Sequence, residues 1–310
     1  MRHGCQAAAN GRRIEAVVAL VLSERDGCQE EDAVTSNESP FFGSTESAGI
    51  DTTKAHGARV YNYLLGGHAN FEVDRQAAEL AYAAWPGGID AVRADVREHR
   101  AAQGRVVRYL VREAGIDQFL EVGTGIPVQD SVHEVAQRDV PDARVVYVDR
   151  DPVVLAHARQ LLPDTPDGSI RYLYGDLRDP QPILREAAAT LDFSRPTAVT
   201  LFGILHFFAD ADDPHGLIGQ LMAPLATGSC LALTHLASDL HSEELSETFN
   251  RLNKSMAESV TLRSNAGVTA LLGGLDLVEP GVVQASLWRP GLGAAGFDSQ
   301  MWCGVGRKAS

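Results

Sequence analysis

The stretch FLEVGTGIPVQD, residues 119–130, joins an apolar run to a turn that contains two glycines. The apolar residues predict a buried strand that ends at Glu121-Val122, and Gly123, Thr124 and Gly125 follow at its carboxyl end. Glycine lets the backbone turn tightly and lets a ligand approach it closely. Such a turn also occurs for purely structural reasons, so the flanking sequence has to identify a ligand.

The sequence around this turn alternates between strand and helix patterns, which predicts an α/β fold with a mostly parallel sheet and helices on both faces. In such sheets ligands bind at the carboxyl ends of the strands. The predicted parallel strands are QFLEVG, ARVVYVD, IRYLYGD, AVTLFGIL and SCLALTHL, and two later stretches, LDLVEPGVVQASLW and MWCGVGRK, are expected to complete one edge of the sheet.

Three regions are predicted along the chain. Residues 1–50 mix Gly, Ser, Glu and Gln with little periodicity and are expected to form a poorly ordered extension. Residues 51–115 contain three helical patterns, which predict an N-terminal helical cap. Residues 116–310 are expected to form the ligand-binding Rossmann-like domain.

Acidic residues end the next two predicted strands. Asp149 is expected to accept hydrogen bonds from two ribose hydroxyls, while Asp151 is expected to cap the helix that begins at Pro152. Asp176 and the amide of Leu177 follow the third strand, where a purine edge can be bound. An aspartate at a strand end is also a common turn residue, so this assignment depends on the order of all three features.

The order of the glycine turn and the two acidic strand ends along the chain indicates a ligand that contains adenosine but no diphosphate. A dinucleotide site has a third glycine after the turn, and this chain has Val128 there, after Pro127. S-adenosylmethionine is such an adenosine derivative, and we expect it to be the cofactor. An NAD-dependent oxidoreductase on a related sheet is the alternative that the missing glycine disfavours.

Several long blocks of the sequence resemble a family of class I S-adenosylmethionine-dependent methyltransferases formerly carried as an uncharacterised domain. The resemblance spans roughly residues 50–308 and implies a seven-stranded methyltransferase sheet, with its last strand antiparallel, under an N-terminal helical lid. It implies no particular acceptor. The family commonly has Asn where this chain has His99. The blocks are DTTKAHGARVYNYLLGGHANFEVDR, FLEVGTGIPVQDSVHEVAQ, ARVVYVDRDPVVLAHARQLL, GDLRDP and LHFFADADDP.

The helical region supplies further candidates for cofactor binding. Tyr63 and Asn70 flank a Gly-Gly pair and are expected to cover the methionine end, although aromatic residues at such spacing are often core. Arg100 is expected to hold the methionine carboxylate, with a solvated surface charge as the alternative. A side chain at Gly123 is expected to occupy the place of the ligand. The predicted cofactor residues are Glu121, Gly123, Thr124, Gly125, Asp149, Asp176, Leu177, Tyr63, Asn70 and Arg100.

His206, at the end of the fourth predicted strand, is the candidate for the chemistry. Methyl transfer from a sulfonium is an in-line displacement, so the protein mainly positions the acceptor and excludes water. His206 is expected to act as a base or as a hydrogen-bonded pocket wall, and His235 to help shape the acceptor site. Asp210, Asp212 and Asp213 directly precede a predicted helix, and we expect a cap and loop there and no metal site.

The bulk composition limits the possible partners. The chain has 310 residues and a formal net charge of −14, which disfavours nucleic acids and anionic membranes and leaves a small-molecule acceptor. Its four cysteines, at positions 5, 28, 230 and 303, form no ligand or disulfide pattern. The apolar run at residues 16–22 is too short to cross a bilayer. A cytoplasmic location is therefore expected, and the sequence carries no signal for an oligomeric state.

The sequence does not distinguish an active enzyme from a non-catalytic module that binds or senses S-adenosylmethionine. The residues that hold the cofactor would be the same in both. Contacts to an acceptor are expected from residues 241–274, where the chain leaves the regular alternation of strands and helices.

Overall fold

The computed structural model describes residues 52–83, 85–161, 165, 168–240, 260–291 and 298–309. These residues form one sheet of eight strands. The strands in chain order are β1 (Gln118–Val122), β2 (Arg144–Asp149), β3 (Ile170–Tyr174), β4 (Ala198–Phe202), β5 (Cys230–Leu236), β6 (Asp276–Leu277), β7 (Val283–Gln284) and β8 (Met301–Arg307).

The strand order is β3-β2-β1-β4-β5-β8-β6, and β7 also pairs with β8. Strands β1 to β5 are mutually parallel, while β8 is antiparallel to β5. This arrangement confirms the predicted mostly parallel sheet with an antiparallel final strand. The chain reverses its strand order on either side of β1, so the carboxyl ends of β1 and its two neighbours form one crevice.

The strand count differs from the expected seven. The stretch LDLVEPGVVQASLW, which was expected to add one strand, forms two segments of two residues, β6 and β7. These segments pair with different parts of β8. Pro280 and Gly281 separate them. Proline has no N–H to donate to a sheet, and Gly281 has a φ of +84°, so regular pairing stops there.

Eight α-helices are present in the described part of the chain. Three of the helices within the sheet region begin at a proline, the residue favoured at the first helical position because it has no N–H to satisfy. The helices are α1 (Gly57–Leu64), α2 (Glu72–Tyr82), α3 (Gly88–Arg112), α4 (Val132–Gln137), α5 (Pro152–Leu161), α6 (Pro180–Ala187), α7 (Pro214–Met222) and α8 (Asn265–Leu271).

Each face of the sheet has its own hydrophobic core. Side chains alternate between faces along β1, so Phe119 belongs to one core and Leu120 to the other. Val106 and Leu110 of α3 are fully buried in the same core as Phe119. The carboxyl-terminal half of α3 is therefore part of the sheet domain's own core and anchors the helices that precede it.

Helices α1 and α2 pack on the first turns of α3 through a smaller apolar cluster that includes Leu64, Ala78 and Val92. A buried ion pair adds to this packing, with Arg59 Nε 2.9 Å from Asp74 Oδ2. Asp74 is fully buried and also accepts hydrogen bonds from the amides of His56 and Phe71. These contacts join the two short helices into one cap.

Some expectations fall outside the described residues. They concern the extension at residues 1–50, the cysteines at positions 5 and 28, and the part of the predicted acceptor region at residues 241–259. Cys230 and Cys303 are described, and both are buried free thiols. No helix in the described ranges combines the length and the apolar character needed to cross a bilayer.

Candidate functional site

The glycine turn folds back over the end of β2. The amides of Gly123 and Thr124 donate to the carbonyl oxygen of Val148, at 2.8 and 3.3 Å, and the amide of Gly125 donates to Asp149 Oδ2 at 3.0 Å. All three turn amides are therefore used within the protein. Donors for a phosphate group, which a dinucleotide turn supplies from its backbone, are already occupied here.

The two glycines of the turn have different constraints. Both have positive φ, +79° at Gly123 and +64° at Gly125. A Cβ on Gly123 would come within 2.3 Å of Ile204 Cδ1, whereas a Cβ on Gly125 would have no heavy atom within 4 Å. In this structure a side chain at Gly123 would first meet Ile204, just beyond β4, and the expected effect of such a side chain on the ligand stays a prediction. Gly125 is the glycine that borders open space.

Glu121 is a buried carboxylate at the end of β1, with 5% of its surface exposed. Burial raises its pKa to about 7, the Arg100 guanidinium opposes that shift, and Asp149 adds to it. No described residue donates a hydrogen bond to this carboxylate. It is an acceptor that a cationic donor would stabilise.

Arg100 lies on α3, close enough to Glu121 for their charges to interact. Its Nη1 donates to Gln103 Oε1 at 2.5 Å, and its Nη2 donates to the carbonyl oxygen of Asp130 at 3.1 Å. Its Nε is buried and has no acceptor among the described residues. One donor of this guanidinium is thus unused within the described residues, and the guanidinium charge acts on the Glu121 carboxylate.

Asp149 and Asp151 follow β2. Asp149 Oδ1 accepts a hydrogen bond from the Asp151 amide at 2.9 Å, and burial raises the Asp149 pKa. Asp151 Oδ1 accepts from the Val153 amide at 2.7 Å, which confirms that Asp151 caps α5. Asp151 also pairs with His56, and this contact lowers the Asp151 pKa and ties the start of α1 to the end of β2.

Asp176 and Leu177 lie beyond β3, beside the end of β2. Asp176 Oδ1 accepts from the Arg178 amide at 2.9 Å, and the carboxylate lies 3.8 Å from Arg150 Nη1. The Leu177 side chain is buried in the core, while its amide donates to no group in the described chain. An acceptor and an unused backbone donor thus stand side by side at this edge.

The structure does not bring Tyr63 or Asn70 to the glycine turn. Tyr63 Oη donates to Glu79 at 2.8 Å and accepts from Arg93, on the outer side of the cap. The Asn70 amide group donates to Asn62 and to the carbonyl oxygen of Gly67. Both side chains hold the cap together.

Tyr61 is the tyrosine of α1 that faces the sheet. Its hydroxyl lies 3.1 Å from His99 Nδ1, and its pKa of about 12 is raised by burial and by the charges of Asp95 and Glu121. Residues two apart on a helix point in nearly opposite directions. A local sequence pattern therefore does not show which of Tyr61 and Tyr63 faces the sheet, and only the docking of α1 on α3 distinguishes them.

His206 lies in a short 3₁₀-helix, Leu205–Phe207, directly after β4, and only 7% of its surface is exposed. Burial and the nearby His235, His99 and Arg263 hold its pKa well below the usual value, so the ring is neutral at pH 7. Its Nδ1 is buried and has no partner in the described residues. This neutral, unpaired imidazole nitrogen is available to hydrogen-bond a ligand.

His235 is fully buried, and its role is structural in this arrangement. Its Nε2 accepts from Arg263 Nη1 at 2.9 Å, and its pKa is lowered to about 4, mainly by burial. The His235 ring is turned into the protein to meet Arg263, and its expected part in shaping the acceptor site stays a prediction.

Arg263 was not identified from the sequence. Its guanidinium donates to the carbonyl oxygens of Leu205 and Phe208, and to Asp210 Oδ1 at 2.6 Å. These bonds hold the chain that carries His206. Asp213 caps α7 by accepting from the Gly216 amide, and no cluster of metal ligands occurs in the described ranges.

Comparisons with known proteins show the family of the chain. A model of the S-adenosyl methyltransferase family matches residues 43–309. A DUF574 family protein from Streptomyces avermitilis is 38% identical, with a TM-score of 0.76, over 83% of this chain and 99% of that one. A candidate methyltransferase from Thermobifida fusca is 37% identical, with a TM-score of 0.77, over 86% of this chain and 100% of that one. No curated protein matches the chain.

The family match covers nearly all of the described chain, including the helical cap, the glycine turn and the final strand. The two solved structures are similar to this chain in sequence and in fold over nearly their whole length. The chain therefore belongs to the S-adenosyl methyltransferase family and is an S-adenosylmethionine-dependent methyltransferase.

Proposed function

We propose that this methyltransferase acts on a small-molecule acceptor by in-line displacement, at the carboxyl ends of β1, β2 and β4. One observation carries the proposal: the buried Glu121 carboxylate accepts no hydrogen bond from the described residues, and Arg100, whose charge acts on that carboxylate, has a buried Nε with no acceptor among them. An acceptor and a donor so placed fit the ammonium and carboxylate of an amino acid. When bound, the cofactor supplies an electrophilic methyl group on a cationic sulfur.

The methionine end is assigned to these two residues. Glu121 would accept hydrogen bonds from the ammonium group, which would favour its ionised form. Arg100 would donate from Nε to the carboxylate, a charge-assisted hydrogen bond. Because the Glu121 carboxylate and the Arg100 Nε atom are shielded from solvent, each gains more from a charged partner than an exposed group would.

The nucleoside end is assigned to the ends of β2 and β3. Asp149 would accept hydrogen bonds from ribose hydroxyls, and Asp176 with the Leu177 amide would bind the purine edge. Thr124 and Gly125 would line the turn, where the open space beside Gly125 leaves room for a ligand. Because all three turn amides are already paired, a pyrophosphate would find no backbone donors there, which argues against an NAD-dependent oxidoreductase.

His206 is assigned to the wall of the acceptor site. A general base must bind a proton readily near neutral pH, and the lowered pKa of His206 disfavours its protonated form. Its unpaired Nδ1 can instead orient an acceptor by a hydrogen bond. An acceptor that carries a lone pair at neutral pH needs no base, because positioning and exclusion of water suffice.

The net charge of −14 supports a small acceptor over a nucleic acid, because the overall field repels phosphate backbones. Turnover tests the proposal. The purified protein is incubated with methyl-labelled S-adenosylmethionine and fractionated small-molecule extracts, and both S-adenosylhomocysteine and labelled products are measured. We expect label in a small-molecule fraction, and loss of that label with Arg100→Gln. Tight cofactor binding with no product from any extract would instead indicate a non-catalytic binding module.

A further inference from the structure

A line of four side chains connects the cofactor edge to the cap. Arg100 Nη1 donates to Gln103 Oε1 at 2.5 Å, and Gln103 Nε2 lies 3.1 Å from His99 Nε2. His99 Nδ1 in turn lies 3.1 Å from Tyr61 Oη. Arg100, Gln103 and His99 belong to α3, whereas Tyr61 belongs to α1, so the line crosses from the sheet-packed helix into the cap.

The direction of each hydrogen bond in this line is determined. A guanidinium has only donors, so the Gln103 atom that faces Arg100 must be the oxygen. The amide nitrogen of Gln103 then faces His99 Nε2 with a proton, and Nε2 must accept. A neutral imidazole carries a single proton, which must therefore be on Nδ1.

His99 is held in this neutral form by its surroundings. Only 4% of its surface is exposed, and burial together with the Arg100 charge lowers its pKa to about 3. The Thr234 hydroxyl lies 2.7 Å from Nε2 and can donate to the same lone pair. His99 Nδ1 therefore donates to Tyr61 Oη, and the Tyr61 proton must point away from His99.

We propose that Arg100, Gln103 and His99 form a positioning relay that keeps Tyr61 a hydrogen-bond donor towards the carboxylate of the bound cofactor. This inference rests on the proposed function, because it needs the methionine end at Arg100. The charges of Arg100 and Glu121, the two residues proposed to hold the methionine end, both act on Tyr61. Tyr61 contacts the ligand in this arrangement, while Gln103 and His99 act through it.

The protonation of His99 can be measured directly. Long-range proton–nitrogen NMR spectra of the ¹⁵N-labelled protein distinguish the two ring nitrogens, and the His99→Asn spectrum assigns the signal. We expect Nδ1 to carry the proton between pH 6 and 8, with no change over this range. A proton on Nε2 would overturn the relay, and this result needs no ligand.

Gln103→Glu reverses the relay with little change in size. A carboxylate oxygen would then face His99 Nε2, so Nε2 must carry the imidazole proton. Nδ1 becomes an acceptor, and the Tyr61 hydroxyl donates to Nδ1 and no longer to the ligand. We expect the dissociation constant for S-adenosylmethionine to rise about 10- to 100-fold, as for a lost hydrogen bond to a charged group. Gln76→Glu, an exposed change of the same type on α2, is expected to leave it unchanged.

Acidification should partly reverse the Gln103→Glu defect. Protonation of His99 restores a proton on Nδ1, so the ratio of variant to wild-type dissociation constants should fall as the pH is lowered. The other titratable groups that face His99 are Tyr61 from α1, Arg100 on its own helix and His206 from the segment after β4. These three groups are common to both proteins, and the ratio removes their contribution. The carboxylate that Gln103→Glu introduces is present only in the variant, and its own protonation on acidification changes the ratio in the same direction as that of His99. A ratio that does not change with pH would contradict the relay.

Two further variants complete the test. Tyr61→Phe removes the donor, and we expect a loss of about 10- to 100-fold in affinity. His99→Asn keeps an amide donor near the position of Nδ1, and we expect affinity within a few-fold of wild type. If the wild-type protein binds S-adenosylmethionine while Tyr61→Phe and Gln103→Glu bind it equally well, the relay is wrong. If the wild-type protein does not bind it, the proposed function itself fails.

Discussion

The Glu121 carboxylate is buried at a place where its protein neighbours do little to stabilise a charge. Its pKa of about 7, against an ordinary value of 4.5, means that the folded protein holds a proton there which the unfolded chain releases. Between pH 4.5 and about pH 7 the free energy of unfolding must therefore fall as the pH rises, because the unfolded state binds fewer protons than the folded state. A site that favours a cationic ligand therefore costs stability at neutral pH.

Glu121→Gln should remove this cost. Between pH 5 and pH 8, we expect the free energy of unfolding of the wild-type protein to fall by on the order of 3 kcal/mol more than that of the variant. Chemical denaturation at several pH values measures the difference. The same variant should bind S-adenosylmethionine more weakly at pH 8, because an amide cannot pair with the ammonium group. Parallel pH profiles for the two proteins would show that Glu121 ionises normally.

Substitution of the two turn glycines should give different results. Gly125→Ala would project a methyl group into open space beside the turn, and we expect at least a tenfold loss of affinity for S-adenosylmethionine. The left-handed backbone at this position should also cost the alanine variant about 1 to 2 kcal/mol of stability. Gly123→Ala would press on Ile204, and we expect a larger loss of stability. Calorimetry and thermal unfolding separate the two effects. Wild-type affinity in Gly125→Ala would show that no ligand lies against that glycine.

Among the elements, helices α1 and α2 depend on a buried charge. Asp74→Asn would leave the buried Arg59 guanidinium without its carboxylate, at a cost of about 3 to 5 kcal/mol. We expect hydrogen exchange to accelerate in residues 57–82 more than in β1 and β4, because the cap has a separate small apolar cluster. Glu72→Gln, at an exposed ion pair on the same helix, should change stability by less than about 1 kcal/mol. A uniform acceleration throughout the sheet would show that the cap does not open independently.

Strand ends were more predictable from the sequence than helix faces. The alternation of strands and helices places Gly125 and Asp149 at one edge, and the structure joins them by a hydrogen bond of 3.0 Å. By contrast, the choice between Tyr61 and Tyr63 depends on how α1 packs, which a local pattern does not contain. Arg263 is distant in sequence from the carbonyl groups it binds, so only the fold reveals it.

At the scale of the whole molecule, the topology concentrates the unusual electrostatics at one edge of the sheet. Two acids with raised pKa, Glu121 and Asp149, end adjacent parallel strands, and α3 crosses the same edge with Arg100. The carboxyl-terminal half of α3 is also fixed in the core below the sheet. Binding at this edge should therefore stabilise the entire fold, because the residues proposed to hold the ligand lie at the ends of its central strands.

Thermal unfolding with added ligands tests this coupling. At a concentration 100 times its dissociation constant, S-adenosylhomocysteine should stabilise the native state by about 2.7 kcal/mol, which corresponds to a rise of roughly 5 °C or more in the unfolding temperature. NADH should give no rise, because the turn amides that would hold its pyrophosphate are already paired with β2. The Gly125→Ala variant should lose most of this rise in unfolding temperature, which would show that the rise depends on binding at the glycine turn. A shift with NADH and none with S-adenosylhomocysteine would reverse the assignment of the ligand, since the same strand edge would then be binding a dinucleotide.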